Sequence, residues 1–428
     1  MLTQEENDLL TRTTPGTPGG TFLRSYWLPA ALSEELKPDI PSRVRILGED
    51  LVLFRDHQGK PGLVGLHCPH RGADLSMGRV ESGGLRCLYH GWLFDGRGAC
   101  LEQPSEPADT EFKNKVHHLS YPCQEVGGII FAYLGSATPP LLPAYEAFNV
   151  PAEHRYVTKL FHDCNYLQAL EGNMDPSHTS FLHRQLDAPP DLKRPVNGTA
   201  GTLPMAFYID DAAPRIETDD TDFGTRIISL RQTKDGKVYF RMQNFILPSI
   251  ATVVGPMGGD GYYMFWHVPI DDTRHWRYEI MFRRSAPLDA TDWKRIREIR
   301  AEAGEDYIPL RNKANGYLQD REAMRSWSFS GMGRIFNTQD VAILEGSGPI
   351  VDRTREHLGS SDKAIIACRR IVGKAIRDVQ AGNEAPHVIR DPKANRFQHI
   401  MVLSELTNSL DWKDHVNQKE KEFSLTAL

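Results

Sequence analysis

The feature that most constrains this chain is a pair of short hooks, Cys68-Pro-His70 and Cys87-Leu-Tyr-His90, separated by sixteen residues. Each hook sets a thiol and an imidazole a few atoms apart, so each can grip a metal from two sides. The fold must bring the two hooks together. Arg71-Gly72-Ala73 follows the first hook, and Gly91-Trp92 with Asp95-Gly96 follows the second. Glycine there lets the backbone approach the sulfurs and donate N–H bonds to them.

A structural zinc accepts two Cys and two His, but its usual layout is a Cys pair followed by a His pair. Here each hook mixes the two. A [2Fe–2S] cluster of the Rieske kind takes two Cys on one iron and two His on the other, which matches this order. Zinc and a chance scatter are the alternatives. A zinc-stapled binding module is colourless, whereas a Rieske protein is red-brown.

The chain has 428 residues, enough for two domains. The formal charge of -6 gives no basic footprint for nucleic acid. No run approaches the ~20 apolar residues of a membrane span, so no membrane is expected. The N-terminus is acidic and has no signal-peptide core. Cys100, Cys123, Cys164 and Cys368 lack disulfide-framework spacing, so a reducing cytoplasm is expected.

Residues 1–37 read as a polar helix, a Pro/Gly loop (15–20) and a second short helix. Short alternating runs follow at 43–47, 51–55, 63–66 and 129–134, with the hooks in loops between strands. The Pro-rich stretch 138–143 marks a boundary. Beyond it a helical segment is expected over 166–182 and a long loop near 188–204. Strands are expected over 214–218, 226–232, 237–246, 262–269 and 277–282, and helices over 291–303 and 360–381. The fold class is therefore α+β: an all-β N-terminal Rieske domain (38–145) after a helical extension (1–37), then a catalytic domain (146–428) with an antiparallel sheet packed by helices.

The second constellation is Glu171-Gly-Asn-Met-Asp175-Pro-Ser-His178-Thr-Ser-Phe-Leu-His183. Two His and a carboxylate are what a 2-His-1-carboxylate iron(II) site requires. Asp175 and His178 are three apart and share a helix face. His178 and His183 are five apart, which puts them roughly 140° apart on an ideal helix. A bulge or helix end is therefore expected near Thr179–Phe181, with Pro176 opening the segment under an Asp175 cap. A lone His pair would read as a surface or satisfied core pair; the hooks upstream tip the reading to metal. His117, His118, His154, His162, His267, His275 and His357 show no ligand spacing. From spacing, Asp340, Glu345 and Asp352 are equal as a third ligand.

The two motifs in this order resemble the Rieske non-haem iron ring-hydroxylating oxygenases, catalytic α subunit, over nearly the whole chain. The length, the N-terminal extension and the segments Asn337-Thr-Gln-Asp340 and Pro349-Ile-Val-Asp352-Arg-Thr look like the phthalate dioxygenase group, which includes chlorobenzoate-type enzymes. The resemblance implies that Cys68, Cys87, His70 and His90 hold the cluster, and that His178, His183 and Asp340 hold a mononuclear iron. It implies that Asp175, in the catalytic role, links His90 of one subunit to His178 of the next. A head-to-tail homo-oligomer, most simply a trimer, follows. It also implies a terminal oxygenase that adds O₂ to an aromatic carboxylate as a cis-diol, with electrons from a separate NAD(P)H-dependent reductase. O-demethylation or other monooxygenation of an aromatic acid is the alternative, and a plain Rieske electron carrier a weaker one.

An aromatic carboxylate calls for a buried cation, and Arg is favoured for its fork. On strand 237–246, period-two alternation puts Tyr239, Arg241, Gln243 and Phe245 on one face. Arg241 between aromatics resembles a benzoate pocket; a solvated strand face is the alternative. Arg215 and Arg231 are weaker candidates, and Ser180 can donate one hydrogen bond.

Overall fold

Two runs of strands, one before and one after the Pro-rich stretch, give the chain its two halves. The computed structural model describes residues 1–428 apart from 108, 187–204, 256–259, 409 and 427–428. The first half contains β1 (Trp27–Leu32), β2 (Ser42–Ile46), β3 (Glu49–Arg55), β4 (Pro61–Gly65), β5 (Arg79–Glu81), β6 (Gly84–Arg86), β7 (Leu93–Phe94), β8 (Cys100–Glu102), β9 (Ser120–Tyr121), β10 (Cys123–Val126) and β11 (Ile129–Tyr133). They form three antiparallel sheets, ordered β1-β11-β10, β2-β3-β4-β9 and β5-β6-β7-β8. The second half contains β12 (Arg155–His162), β13 (Arg215–Asp220), β14 (Gly224–Gln232), β15 (Val238–Ile246), β16 (Ile250–Val253), β17 (Tyr263–Pro269), β18 (His275–Phe282) and β19 (Leu403–Thr407). One antiparallel sheet runs β12-β18-β17-β16-β15-β14-β13, and β19 pairs with β15 beside it.

The helices are α1 (Gln4–Thr11), α2 (Pro18–Arg24), α3 (Glu146–Asn149), α4 (Tyr166–Met174), α5 (Met205–Asp210), α6 (Ala290–Arg300), α7 (Ala323–Ser326), α8 (Phe336–Gly346), α9 (Lys363–Gln380) and α10 (Trp412–Thr426). Both faces of the sheet are covered near β15. Gln243 Nε2 donates to Asn173 O of α4 at 2.9 Å on one face. On the other, Phe240 and Met242 pack with Trp412 and Val416 of α10. Every residue of β15 is buried as a result, so its strand face is not solvated. The long helix α9 buries Ala364, Ile365, Cys368, Val372 and Ile376 along one stripe, as a core-facing helix does.

The structure corrects two expectations. The second helix of the N-terminal extension begins inside the Pro/Gly loop, with Pro18 at its first turn and Thr17 capping Gly20 N–H at 3.1 Å. Trp27–Leu32 is then strand, not helix: all six residues are buried, and the run pairs with β11. Nor does one helix span Tyr166–Leu182. It stops at Met174, because Asp175 turns extended and Pro176 has no N–H to continue the ladder. A single 3-10 turn, His178–Ser180, follows and ends at Phe181. The loop expected near 188–204 lies outside the described residues.

Candidate metal centres

The two hooks are the same turn used twice. Gly72 N–H donates to Cys68 O at 2.8 Å, and Gly91 N–H to Cys87 O at 3.1 Å. Cys68 N–H donates to Ala73 O and Cys87 N–H to Trp92 O, both at 2.8 Å. Both glycines are left-handed, with φ +72° and +75°, and a Cβ on Gly91 would meet Pro104 at 2.7 Å. His70 comes two residues after its Cys and His90 three, yet the two rings approach edge-on to 4.3 Å. Trp92 stacks on His70 at 4.5 Å. Burial pushes the Cys68 thiol up to about 11, with Cys87 adding to the effect, while the N–H groups of His70 and Arg71 oppose it. His90 Nδ1 and Trp92 Nε1 are buried without partners. An imidazole nitrogen left unpartnered in a site with two buried thiols fits a metal group, and two sulfurs with two nitrogens are the donor set of a Rieske cluster.

The second site is assembled from three elements. The 3-10 turn supplies His178, the loop after it His183, and α8 Asp340. His178 Nε2 and His183 Nε2 are 3.2 Å apart, and Asp340 Oδ1 lies 3.7 and 3.2 Å from them. Their ligand atoms all lie within 4.8 Å of one another, close enough to share a single metal ion.

The tautomer of His183 can be worked out. Gln339 Nε2 faces Gly333 O at 2.7 Å, and a carbonyl only accepts. Gln339 Oε1 must then be the atom 2.7 Å from His183 Nδ1, so Nδ1 carries the proton and Nε2 an open lone pair. Two imidazole nitrogens and a carboxylate oxygen thus converge with no donor from His183. Donors bound at ~2.1 Å and at right angles lie ~3 Å apart, so this spacing fits a single metal ion with a 2-His-1-carboxylate face. Phe336 stacks on His183 at 4.1 Å and fixes its plane. Burial works to raise the Asp340 carboxyl, but His183, His178 and Arg277 outweigh it and hold it below its usual value.

Asp175 Oδ2 is 3.4 Å from His178 Nδ1, and the nitrogen's geometry does not make a hydrogen bond. The same side chain accepts the N–H of Ser177 at 2.6 Å and of His178 at 3.2 Å. It is partly exposed, with one carboxylate edge turned to His178.

Two arginines lie beside this segment. Arg241 is 8% exposed and Arg231 1%. Arg231 Nη2 donates to Pro176 O at 2.8 Å and to Ser180 Oγ at 3.3 Å. Its guanidinium lies over the Tyr208 ring at 4.2 Å, and Arg241 Nη1 donates to the Tyr208 hydroxyl. Both Nε groups are unpartnered, and neither arginine has a carboxylate within ion-pair distance among the described residues. Ser180 accepts from Arg231. Arg215, by contrast, sits on the surface with Glu217 at 2.9 Å and has no place here.

Gln339 and Phe336 are the residues that sequence reasoning missed, and Arg231 was underweighted. No local spacing marks them; the one signal is that Gln339 precedes Asp340 on a helix.

A model of the Rieske [2Fe-2S] domain matches residues 26–121, and one described as LigXa C-terminal domain like matches 132–427. The oxygenase subunit of phthalate 4,5-dioxygenase from Pseudomonas putida is 36% identical over 427 residues, covering 97% of this chain and 95% of that one. The oxygenase subunit of 5,5'-dehydrodivanillate O-demethylase from Sphingobium sp. (strain NBRC 103272 / SYK-6) is 34% identical, covering 92% and 85%. Among solved structures, the oxygenase in an oxygenase–ferredoxin complex of carbazole 1,9a-dioxygenase superposes with a TM-score of 0.57 at 21% identity, over 90% of this chain and 94% of that one.

Proposed function

Since the chain belongs to the Rieske non-haem iron oxygenases, as a terminal oxygenase subunit of the aromatic ring-hydroxylating or demethylating type, we propose that it dihydroxylates an aromatic carboxylate of phthalate or chlorobenzoate kind. The protein is an oxidoreductase that carries a [2Fe–2S] cluster and a mononuclear iron. Cys68, Cys87, His70 and His90 would hold the first, and His178, His183 and Asp340 the second. The cluster supplies single electrons, and the iron supplies the oxygen chemistry.

The chain's own residues have four tasks. Gln339 keeps the His183 proton on Nδ1, so that Nε2 always faces the metal position. Phe336 holds that ring in its plane. Asp175 keeps its backbone cap and offers a carboxylate edge for an N–H from a neighbouring subunit's His90. Arg241 fixes the substrate's carboxylate and thereby aims the ring.

The observation that carries the carboxylate reading is the missing counter-charge. A buried guanidinium needs an anion, and neither Arg231 nor Arg241 finds one among the described residues. A head-to-tail trimer is supported by apolar side chains left exposed at both centres: Met77, Leu88 and Tyr89 by the hooks, Phe181 and Phe329 by the iron segment. Electrons come from a separate ferredoxin or reductase in such systems; a distinct NAD(P)H-dependent reductase is our proposal here. The four cysteines outside the hooks, Cys100, Cys123, Cys164 and Cys368, form no disulfide with one another, which supports a reducing cytoplasm.

O-demethylation is the second reading, favoured by the likeness to the dehydrodivanillate enzyme. Oxygen uptake across a panel of benzoates and phthalates, with a surrogate reductase and labelled O₂, decides between them. A dioxygenase puts both labelled atoms into one organic product, and a demethylase one. Arg241→Ala should raise KM for the carboxylate by ~30-fold or more, the ~2–5 kcal/mol of a broken buried charge pair, while leaving a neutral ring analogue unaffected. Equal effects on both substrates remove Arg241 from the pocket.

A further inference from the structure

Arg231 faces two ways. Its Nη2 is bound to the iron-bearing segment, donating to Pro176 O at 2.8 Å and Ser180 Oγ at 3.3 Å. Those two residues bracket His178, and Pro176 follows Asp175 directly. Its Nε finds no acceptor among the described residues, although the side chain is buried. Asp211, whose charge acts on it, makes no ion pair with it and accepts the Gln232 N–H at 2.8 Å. The Tyr208 ring lies against one face of the guanidinium and orders it. Register places Arg231 opposite Tyr239 and Arg241 opposite Ser229, so both cations rise from neighbouring strands on one side of the sheet.

We infer that Arg231 is the positioning residue through which a bound substrate anion acts on the iron-bearing segment; the inference rests on the aromatic-carboxylate reading above. A guanidinium is planar and rigid, with all its donors in one fork. A carboxylate that binds the open Nε edge turns the whole plane. Nη2 turns with it, and so do its bonds to Pro176 and Ser180. Substrate occupancy thereby resets the backbone that carries Asp175 and His178. A lysine cannot do this, because one ammonium cannot hold an anion and the segment in a single plane.

The test uses the holoenzyme with its cluster oxidised and its iron as iron(II). Phthalate and benzoate binding are measured by calorimetry, and the iron(II) environment by near-infrared magnetic circular dichroism with and without saturating phthalate. Wild type should bind phthalate and shift its iron bands. Arg231→Lys should still bind phthalate but lose the shift. Arg231→Gln, which keeps donors for Pro176 and Ser180 but no charge, should bind more weakly and show no shift at saturation. A full shift in either variant at saturation overturns the link and leaves the substrate reading standing. A wild type that binds neither acid refutes the carboxylate reading, and the link with it. Should Arg231→Lys fail to fold, Arg231→Gln decides alone.

Discussion

Glu171 lies one helical turn before Asp175, and its carboxylate holds two buried cations. Arg353 donates to it from Nη2 at 2.8 Å, and Arg369 from Nε at 2.6 Å. Arg369 also donates to Glu356 at 2.6 and 3.1 Å, and Arg353 Nη1 donates to Asn7 Oδ1 at 3.2 Å. Two acids and two bases thus balance among α1, α4, α9 and the turn at Arg353. Glu171→Gln keeps the shape but removes one charge, leaving Arg353 buried without a carboxylate. Breaking such a pair costs ~3–5 kcal/mol. Unfolding entropy of ~2.1 cal/mol/K per residue over 428 residues gives ~0.9 kcal/mol/K, so Tm should fall by ~3–6 °C. Calorimetry gives Tm, and limited proteolysis reports release of the N-terminal helix that Asn7 anchors. Adding Arg353→Met removes the stranded cation and should restore at least half the loss. A single variant within ~1 °C of wild type, or a double variant less stable than the single, would refute the reasoning.

Asp175→Asn should keep both metals, because an amide oxygen still caps the Ser177 and His178 N–H groups, yet stop product formation coupled to cluster oxidation; normal turnover sinks the bridging role. Gln339→Leu should lower iron affinity by ~10–100-fold in a chelator competition, and Gln339→Glu should restore most of it, since His183 regains an acceptor. The buried cluster His162, His267 and His275 sets an acid limit. Burial holds all three neutral, with His275 pushed down to about 3 and Arg277 adding to the effect. Their folded pKa values are depressed, so their contribution is fully present above the unfolded value of ~6.5 and is lost as pH falls toward the folded values. Three such groups give a slope of ~4 kcal/mol per pH unit below that point, readable by urea unfolding at pH 7, 6 and 5; a flat profile over that range contradicts it.

The hooks were legible because their chemistry is local. Two Cys and two His within 23 positions, followed by glycines at the places where φ must turn positive, leave few turns that fit. The break between His178 and His183 was legible for the same reason, since a five-residue spacing cannot aim both rings at one point along a regular helix. It falls where the angles put it, with the turn His178–Ser180 ending at Phe181. The earlier break at Asp175-Pro176 was not legible from angles: Asp175 turns extended and Pro176 has no N–H to continue the ladder, so α4 stops before the first histidine.

What stayed hidden depends on long-range packing. Asp340 lies 157 positions beyond His183, and spacing could not choose it over Glu345 or Asp352. In the fold those two are occupied elsewhere: Glu345 accepts from Asp163 N–H and the Tyr317 hydroxyl, and Asp352 caps Thr354. The helix that presents Asp340 buries Thr338, Gln339 and Glu345 together with Val341 and Ala342, so its inward face shows no apolar stripe. Alternation along β15 did place Tyr239, Arg241 and Gln243 on one face, but it could not tell a wet face from a dry one, because that depends on α4 on one side and α10 on the other. The same blindness set Arg231 below Arg241. Only the fold shows that one arginine of the pair reaches the backbone of the iron-bearing segment, and that property makes it more than a second positive charge.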